Sequence, residues 1–513
     1  MISRDLLPSL YTFDITKGSI VSMTNEIFLS RESVSPKDLL LKSAPAKTGI
    51  VHIGLGNFHR AHLAVYTAIA MQEKGGDWGI CTYSMRSEKT SNAMNAQDNL
   101  YSVLEIGPDT RRTYIPGVHT QALAGKKDLR AIIDLIAKPE TKIVSLTVTE
   151  AGYFISQASQ GLDLGNSDIR SDLTMGDPLT IYGILAQSLL RRSSANESAI
   201  TILSCDNISQ NGDNLKRLLN EFIGNLPDCA ELLKFVEDNV TFPNSMVDRI
   251  VPGSEPQHIQ IVKEQLGLVD AIPVPTEKFS MWALEDNFIG GRPAWDVAGA
   301  IFTDEVHNFE VMKLRLLNGS HSLLAYLGAL RGRETIPACR FDELIELSLR
   351  KVIQNEYLPS VEMPQSVDSN NYIAQLFERW SNTALGDKTY RVGTDGSTKL
   401  PQRITVPALR LINAGLQPKM LALTVASWLT CVAPFGDFDP GAIATQMGDP
   451  KKGRIQSLSK ESTSPLDFVE KFFKESEVFS PEISSNDFFT SLVKTYFDSI
   501  YMHGITHVLT RGV

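Results

Sequence analysis

A β-branched run, Ile50 to Ile53, stops at Gly54-Leu55-Gly56, and a helical apolar pattern (Leu63, Tyr66, Thr67, Ala70) follows. After Gly75-Gly76 a second apolar run extends from Gly79 to Met85. Strand, glycine turn, helix and strand in that order make a βαβ unit, which commits this part of the chain to parallel strands covered by helices. Strand-length apolar runs recur at KIVSLTVTE (142 to 150) and AITILSCDN (199 to 207), with helical stretches between them at Leu129 to Ala137 and Leu179 to Arg192. The alternation predicts an α/β domain built on a mostly parallel sheet.

From Phe309 the pattern changes. MKLRLLNGSHSLLAYLGAL, FDELIELSLRKVIQNEY, YIAQLFERWSN and LQPKMLALTVASWLTCV are helical, and strand-like runs nearly vanish. The chain of 513 residues therefore divides into an N-terminal extension (1–45), an α/β domain (46–303) and a mostly α-helical C-terminal domain (304–513). The polar, basic stretch KKGRIQSLSKESTSP (451 to 465) is expected to be an exposed loop. A net charge of −10 argues against nucleic acid or an anionic membrane as the main partner. No window reaches the ~18 uninterrupted apolar residues of a membrane-spanning helix. The N-terminus lacks a basic segment followed by an apolar one, and the five cysteines are scattered with no CxxC pair. A cytoplasmic protein without disulfides or a thiolate zinc site is expected.

Gly54 and Gly56 supply two of the three glycines of a dinucleotide fingerprint. The first makes the tight turn, and the second lets backbone N–H groups approach a pyrophosphate at the helix N-terminus. His59 stands at the third position. Gly54, Gly56, Asn57, Phe58 and Arg60 are thus candidate cofactor contacts. NAD-selective versions end the second strand in a carboxylate that binds the ribose 2′-hydroxyl. Here that strand runs Tyr83-Ser84-Met85-Arg86-Ser87, with no carboxylate before Glu88. Arg86 could accept a 2′-phosphate or simply be an exposed arginine, so NAD and NADP both stay open. Thr147, Thr149 and Glu150 fall at the C-terminal end of a strand, where open α/β sheets bind ligands, and Glu150 is a candidate for the cofactor or substrate edge.

The segment Glu310-Val-Met-Lys313-Leu-Arg-Leu-Leu-Asn318-Gly319-Ser-His321 carries the most chemistry. On an ideal α-helix His321 lies about 80° and Asn318 about 140° round from Lys313. An asparagine and a glycine inside a helix cost about 0.5–1 kcal/mol each relative to alanine, which points to a compensating advantage. A lysine among apolar side chains loses part of its preference for the ammonium form and can act as a general base. An asparagine amide can donate to a developing oxyanion, and a histidine can orient a hydroxyl. The same spacing also fits a snorkelling lysine and a satisfied core histidine. Other dehydrogenase designs lack their residues: no tyrosine has a lysine four positions on, and no Cys/His cluster could hold zinc. No metal is called for.

The ordered blocks GIVHIGLGNFHRAH, IVSLTVTEAGY, SCDN, FPNSMVDRIVP, EDNF, KLRLLNGSHSLLAYLG and DGSTKLPQR resemble the polyol-specific long-chain dehydrogenases, the family of mannitol 2-dehydrogenase and fructuronate reductase (mannonate oxidoreductase). The likeness runs from about residue 48 to the C-terminus. It implies a Rossmann-type N-terminal domain, a helical C-terminal domain, and metal-independent hydride transfer between NAD or NADP and C2 of a mannitol-like chain. It implies Lys313 as the general base and Asn318 and Asn207 as ligands of the reacting oxygen. His321, Asp248, Arg391 and Lys399 would hold other hydroxyls. Glu310 would relay protons or form an ion pair; Asp248, Glu285 and Asp286 could instead be structural carboxylates, a reading favoured for the last two.

The expected substrate pair is D-mannitol and D-fructose. D-mannonate and D-fructuronate are the alternative, and their carboxylate would need an added cation, for which Arg391 or Arg403 is available. A nucleotide-binding sensor without turnover has no use for the lysine. A small polyol or sugar acid is the expected partner, and the protein is expected to be a monomer or weak oligomer.

Overall fold

The computed structural model describes residues 26–156, 159–195 and 198–511. Its strands are β1 (Thr48–Ile53), β2 (Gly79–Ser84), β3 (Val103–Ile106), β4 (Arg111–Tyr114), β5 (His119–Ala124), β6 (Ile143–Leu146), β7 (Ile200–Ser204), β8 (Val240–Thr241), β9 (Ser245–Asp248), β10 (Val274–Thr276), β11 (Met281–Leu284) and β12 (Ile301–Phe302). Six of them form one parallel sheet in the order β5-β2-β1-β6-β7-β8. Strand order reverses beside β1, so the ends of β1, β6 and β7 open into the crevice where such sheets bind ligands.

The sheet is buried on both faces, as the continuous apolar runs require. Val51, Ile53, Val144, Leu146 and Ile202 pack against the helices Gly125–Ala137, Ile181–Ala195 and Asn211–Gly224. Ile50, Ile143 and Leu203 face the other way, toward the helix Leu63–Lys74 and Trp282 and Trp295. The alternation follows from the two-residue period of a strand.

Two smaller three-stranded sheets, β10-β3-β4 and β12-β11-β9, extend the domain. Met246 of β9 and Ala283 of β11 belong to the apolar core of the helical half, so β9 and β11 form its seat. Among the described residues no strand follows Phe302, and helices begin at Val306. No helix among them is long and apolar enough to cross a membrane.

Residues 1–25 of the expected N-terminal extension lie outside the described residues. The rest docks on the α/β domain: Leu29 N–H donates to Val269 O (3.0 Å) and Leu40 N–H to Ile115 O (2.8 Å). Leu29 and Val34 bury themselves against Leu100, Ile115 and Leu268.

Three expectations are corrected. The basic stretch 451–465 is not a loop: Lys452–Lys460 is a helix that buries Ile455 and Leu458, and Ser464 and Pro465 begin the helix Pro465–Glu475. The Ser464 hydroxyl accepts from Asp467 N–H, an N-cap that basic composition does not reveal. KIVSLTVTE stays in the sheet only over β6: Thr147 N–H still donates to Ile53 O (3.0 Å), but the Asp206 carboxylate then takes the N–H groups of Val148 and Thr149 (3.0 and 3.1 Å). Finally, the lysine-bearing helix is not uniformly α. Lys313–Gly319 is a π-helical segment between the α-helices Val306–Met312 and Ser320–Leu330. Its i→i+5 bonding brings residues five apart, here Lys313 and Asn318, nearly into line, which replaces the 140° separation expected of an α-helix.

A second π-helical segment, Ile353–Tyr357, meets the first at Gly319. A Cβ at Gly319 would stand 2.4 Å from the Tyr357 ring and hydroxyl. Gly319→Ala is therefore expected to cost about 1–3 kcal/mol of stability in urea denaturation, the usual range for overpacking a core. Combining it with Tyr357→Leu should recover part of the loss. A Gly319→Ala protein as stable as wild type would show that this contact does not constrain the segment.

Candidate active site

The glycine turn sits at the end of β1. Gly54 has φ +110°, and a Cβ there would lie 2.1 Å from Thr147 O, so both conformation and space require glycine. Gly56, at the start of the helix Asn57–Ala61, would meet nothing within 4 Å, which leaves the space above the turn open to a ligand's phosphates. That open cradle at the switch point fits a dinucleotide.

The expected third glycine is His59, buried and stacked on His52 (ring centroids 3.5 Å apart), with its Nε2 3.0 Å from His119 Nε2. The His52 nitrogens lie 2.8 Å from Ser145 Oγ and Thr147 Oγ1. Burial pushes His52 and His119 down to about 3, so this imidazole stack is neutral and supports the turn from beneath.

Arg60 is a correction. Rather than pointing at the phosphates it is buried, donating to Ile272 O and Asn57 Oδ1 (2.6 Å each) above the Tyr101 ring. The Asn57 side chain is spent too, since Nδ2 donates to Pro252 O (3.0 Å). Only its backbone remains for a ligand. Phe58 stacks on His62 (4.8 Å). Arg86 is exposed just past β2, while nearby Glu88 is paired with Lys127 (2.8 Å).

Across the crevice Lys313 is buried, and Nζ donates to Asn207 Oδ1 (2.7 Å) and Val247 O (2.6 Å). Burial lowers its pKa, aided by Arg379 and Arg403 and opposed by Asp248. Because Asn207 Oδ1 accepts from the lysine, its amide N–H groups remain to donate and have no acceptor among the described residues. The Asn318 side chain has no partner among the described residues, although its carbonyl accepts from Arg403 Nη1 (2.8 Å). His321, 5.9 Å from the Trp380 ring, is pushed down to about 3 by burial and then by Arg379 and Arg403, so it is neutral at pH 7.

Glu310 accepts from Gln210 N–H (3.0 Å) and Ser209 Oγ (3.1 Å). Burial raises it to about 7 against those hydrogen bonds and Lys313.

Of the two readings of Asp248, the geometry favours the structural one. Both its oxygens accept from Arg379, at 2.8 and 2.9 Å, and Arg379 also donates to both oxygens of Glu277 (2.9 and 2.8 Å). Burial would raise the Asp248 carboxyl, but Arg379 holds it below its ordinary range. Asp248 thus helps lock the site's frame, and each of its oxygens already carries one charged hydrogen bond. Glu285 and Asp286 are structural as expected, held by Asn244 and Arg292.

Lys399 donates to Thr394 O (2.7 Å), and Arg403 donates to Asn318 O and Ser322 Oγ (2.8 Å each). Burial and mutual repulsion lower the pKa of Lys399. Glu150, exposed on the turn Glu150–Tyr153, attracts both cations from the opposite side. Arg391 is exposed and lines a pocket of about 440 Å³ with Ser254, Glu255, His258 and Lys388.

The sequence offered no signal for Arg379 or Glu277, whose partners lie more than a hundred positions away. Asp206 was within reach, being next to Asn207. Besides Val148 and Thr149 it accepts from Tyr153 OH (2.8 Å), and so it aims the loop that carries Glu150.

Fold and site together define a Rossmann-fold, NAD(P)-dependent dehydrogenase with a helical second domain. Residues 48–297 match the mannitol dehydrogenase Rossmann domain and residues 305–501 the mannitol dehydrogenase C-terminal domain. The chain belongs to the mannitol dehydrogenase family. It is 36% identical over 460 residues to the D-mannonate oxidoreductase of Escherichia coli, covering 89% of this chain and 93% of that one. It is 36% identical over 470 residues to the mannitol 2-dehydrogenase of Cereibacter sphaeroides, covering 90% and 96%. The structure of Pseudomonas fluorescens mannitol 2-dehydrogenase in ternary complex with NAD and D-mannitol superposes with a TM-score of 0.81 at 32% identity, over 94% of this chain and 99% of that one.

Arg379→Met should cost about 3–5 kcal/mol, because it strands two buried carboxylates. Without the arginine both carboxyls have folded pKa values above their unfolded ones, so stability falls as pH rises through those values. Urea denaturation should therefore show a larger deficit at pH 8 than at pH 5. An equal deficit at the two pH values would contradict the assignment.

Proposed function

We propose that the protein interconverts a secondary alcohol at C2 of an open-chain polyol and the corresponding 2-keto compound, with Lys313 as the general base. The observation that carries this is the seating of Lys313 Nζ. Two acceptors, Asn207 Oδ1 and Val247 O, take two of its hydrogens. In the neutral amine that leaves one lone pair, and burial favours the neutral form.

A nicotinamide cofactor held at the Gly54–Gly56 turn would supply the acceptor for the hydride, with its electron pair, that leaves C2. The residues of the chain manage the proton and the oxygen. Lys313 Nζ takes the hydroxyl proton as the C–O bond gains double-bond character. The amide N–H groups of Asn207 and Asn318 donate to the oxygen while it carries charge. Neutral His321 offers a donor and an acceptor to a neighbouring hydroxyl. Glu310, one turn before Lys313 and near neutrality in pKa, can pass the proton outward through Ser209.

Within this class D-mannitol and D-fructose are the neutral pair, and D-mannonate and D-fructuronate the acidic one. The centre at Lys313 serves both alike. A panel of alditols, aldonates and their keto partners with NAD(H) and NADP(H), followed at 340 nm, tests the assignment, and the absence of turnover with all of them would overturn it.

Lys313→Ala should lower kcat by about 10²–10⁴-fold, the range of general-base catalysis, while NADH binding followed by fluorescence stays near wild type. For the wild type, alcohol oxidation should rise with pH to a plateau reached below the ordinary lysine pKa, since the base works only when deprotonated. A variant that kept near wild-type kcat would remove Lys313 from this role.

A further inference from the structure

The two substrate pairs differ in a carboxylate, and the cations of the site are not matched alike. Arg379 has two carboxylates, Asp248 and Glu277. Lys399 and Arg403 make no ion pair among the described residues, and every hydrogen-bond acceptor they have is neutral: Thr394 O, Asn318 O and Ser322 Oγ. Arg403 uses only Nη1, so Nε and Nη2 have no protein acceptor among the described residues. Of the carboxylates that attract Lys399 at longer range, Asp395 acts most strongly but makes no ion pair with it, and Asp449 is spent on the N–H groups of Ser397 (2.8 Å) and Lys451 (2.9 Å). Glu150 faces both cations from an exposed turn without touching either.

We infer that Arg403, with Lys399 beside it, receives a substrate carboxylate, so that the preferred substrates are sugar acids, open-chain polyhydroxy carboxylates and their keto acids. This rests on the C2 dehydrogenation proposed above and specifies its substrate class. An arginine held in a cleft without an ion-pair partner is costly, and a substrate carboxylate supplies one. A guanidinium with two free N–H groups matches a carboxylate with two parallel hydrogen bonds, a geometry that a neutral alditol cannot exploit. Arg403 also holds the carbonyl of Asn318, so the specificity contact is built onto the segment that carries the base.

The test compares kcat/KM of the wild-type enzyme for D-mannonate and D-gluconate with that for D-mannitol and D-glucitol. At least one aldonate should exceed its alditol by about 100-fold, the worth of a charged hydrogen bond. Its KM should also rise with ionic strength while the alditol KM does not. Arg403→Met should reduce the aldonate-to-alditol ratio by about 30-fold or more, and Arg403→Lys should retain most of it. Calorimetric titration of the Lys313→Ala–NADH complex with D-mannonate and D-mannitol should show the same preference without turnover. Alditols turned over as well as aldonates would overturn this inference and leave the dehydrogenase assignment standing. No turnover with either class would overturn both.

Discussion

The salt link of Arg379 to Asp248 and Glu277 is the interaction on which the rest of the site depends. Arg379 comes from the helical half and its two partners from the α/β half, and all three are buried. A buried ion pair covers its desolvation cost only when each polar atom is satisfied. Here Nε, Nη1 and Nη2 all donate and all four carboxylate oxygens accept, with Ile250 N–H adding a further bond to Glu277. Asp248 ends β9, and the residue before it, Val247, provides the carbonyl that seats Lys313 Nζ. The position of the candidate base thus follows from a strand that the other domain pins in place.

The same economy appears at the glycine turn. A dinucleotide fingerprint ordinarily uses a third glycine for close packing of helix and strand. In this chain an imidazole stack fills that space, His59 on His52, with His119 alongside. Arg60 completes the support by tying Asn57 to Ile272. Residues that read as ligand contacts because they follow a glycine turn therefore act one layer below it, and Gly56 is left as the open floor.

Local features were the most legible part of the chain. Continuous apolar runs of strand length gave β1, β2, β6 and β7 their places, and the shift to helical spacing marked where strands end. The π-helical segment was not legible, because a single inserted position is invisible to a 3.6-residue template. Yet the five-residue interval from Lys313 to Asn318 matches the i→i+5 hydrogen-bond span of a π-helix. The motif blocks led to Lys313, Asn207, Asn318 and His321, and the structure joins Lys313 of the helical half to Asn207 of the α/β half. They could not show that Asp248 is consumed by Arg379 or that Arg60 turns inward. Both outcomes depend on partners distant in sequence, and residue type alone does not reveal which of its hydrogen bonds are already made.

The charges around Lys313 have to satisfy two demands at once. The amine must be neutral before the alcohol arrives, and it must gain proton affinity as the alcohol gives up its proton. Burial, with Arg379 and Arg403 nearby, serves the first demand. Asp248 opposes it, but its charge is largely spent on Arg379, and Glu310 titrates near neutrality. An acidic substrate would serve the second demand, since its carboxylate on Arg403 cancels one of the charges that keep the amine neutral and raises the affinity of Nζ for the proton when the substrate is in place. A neutral substrate would leave that repulsion intact. The unpaired cations are then the feature that ties recognition at the far end of the substrate to basicity at C2, and they do so through electrostatics alone, with no movement of the frame that Arg379 holds.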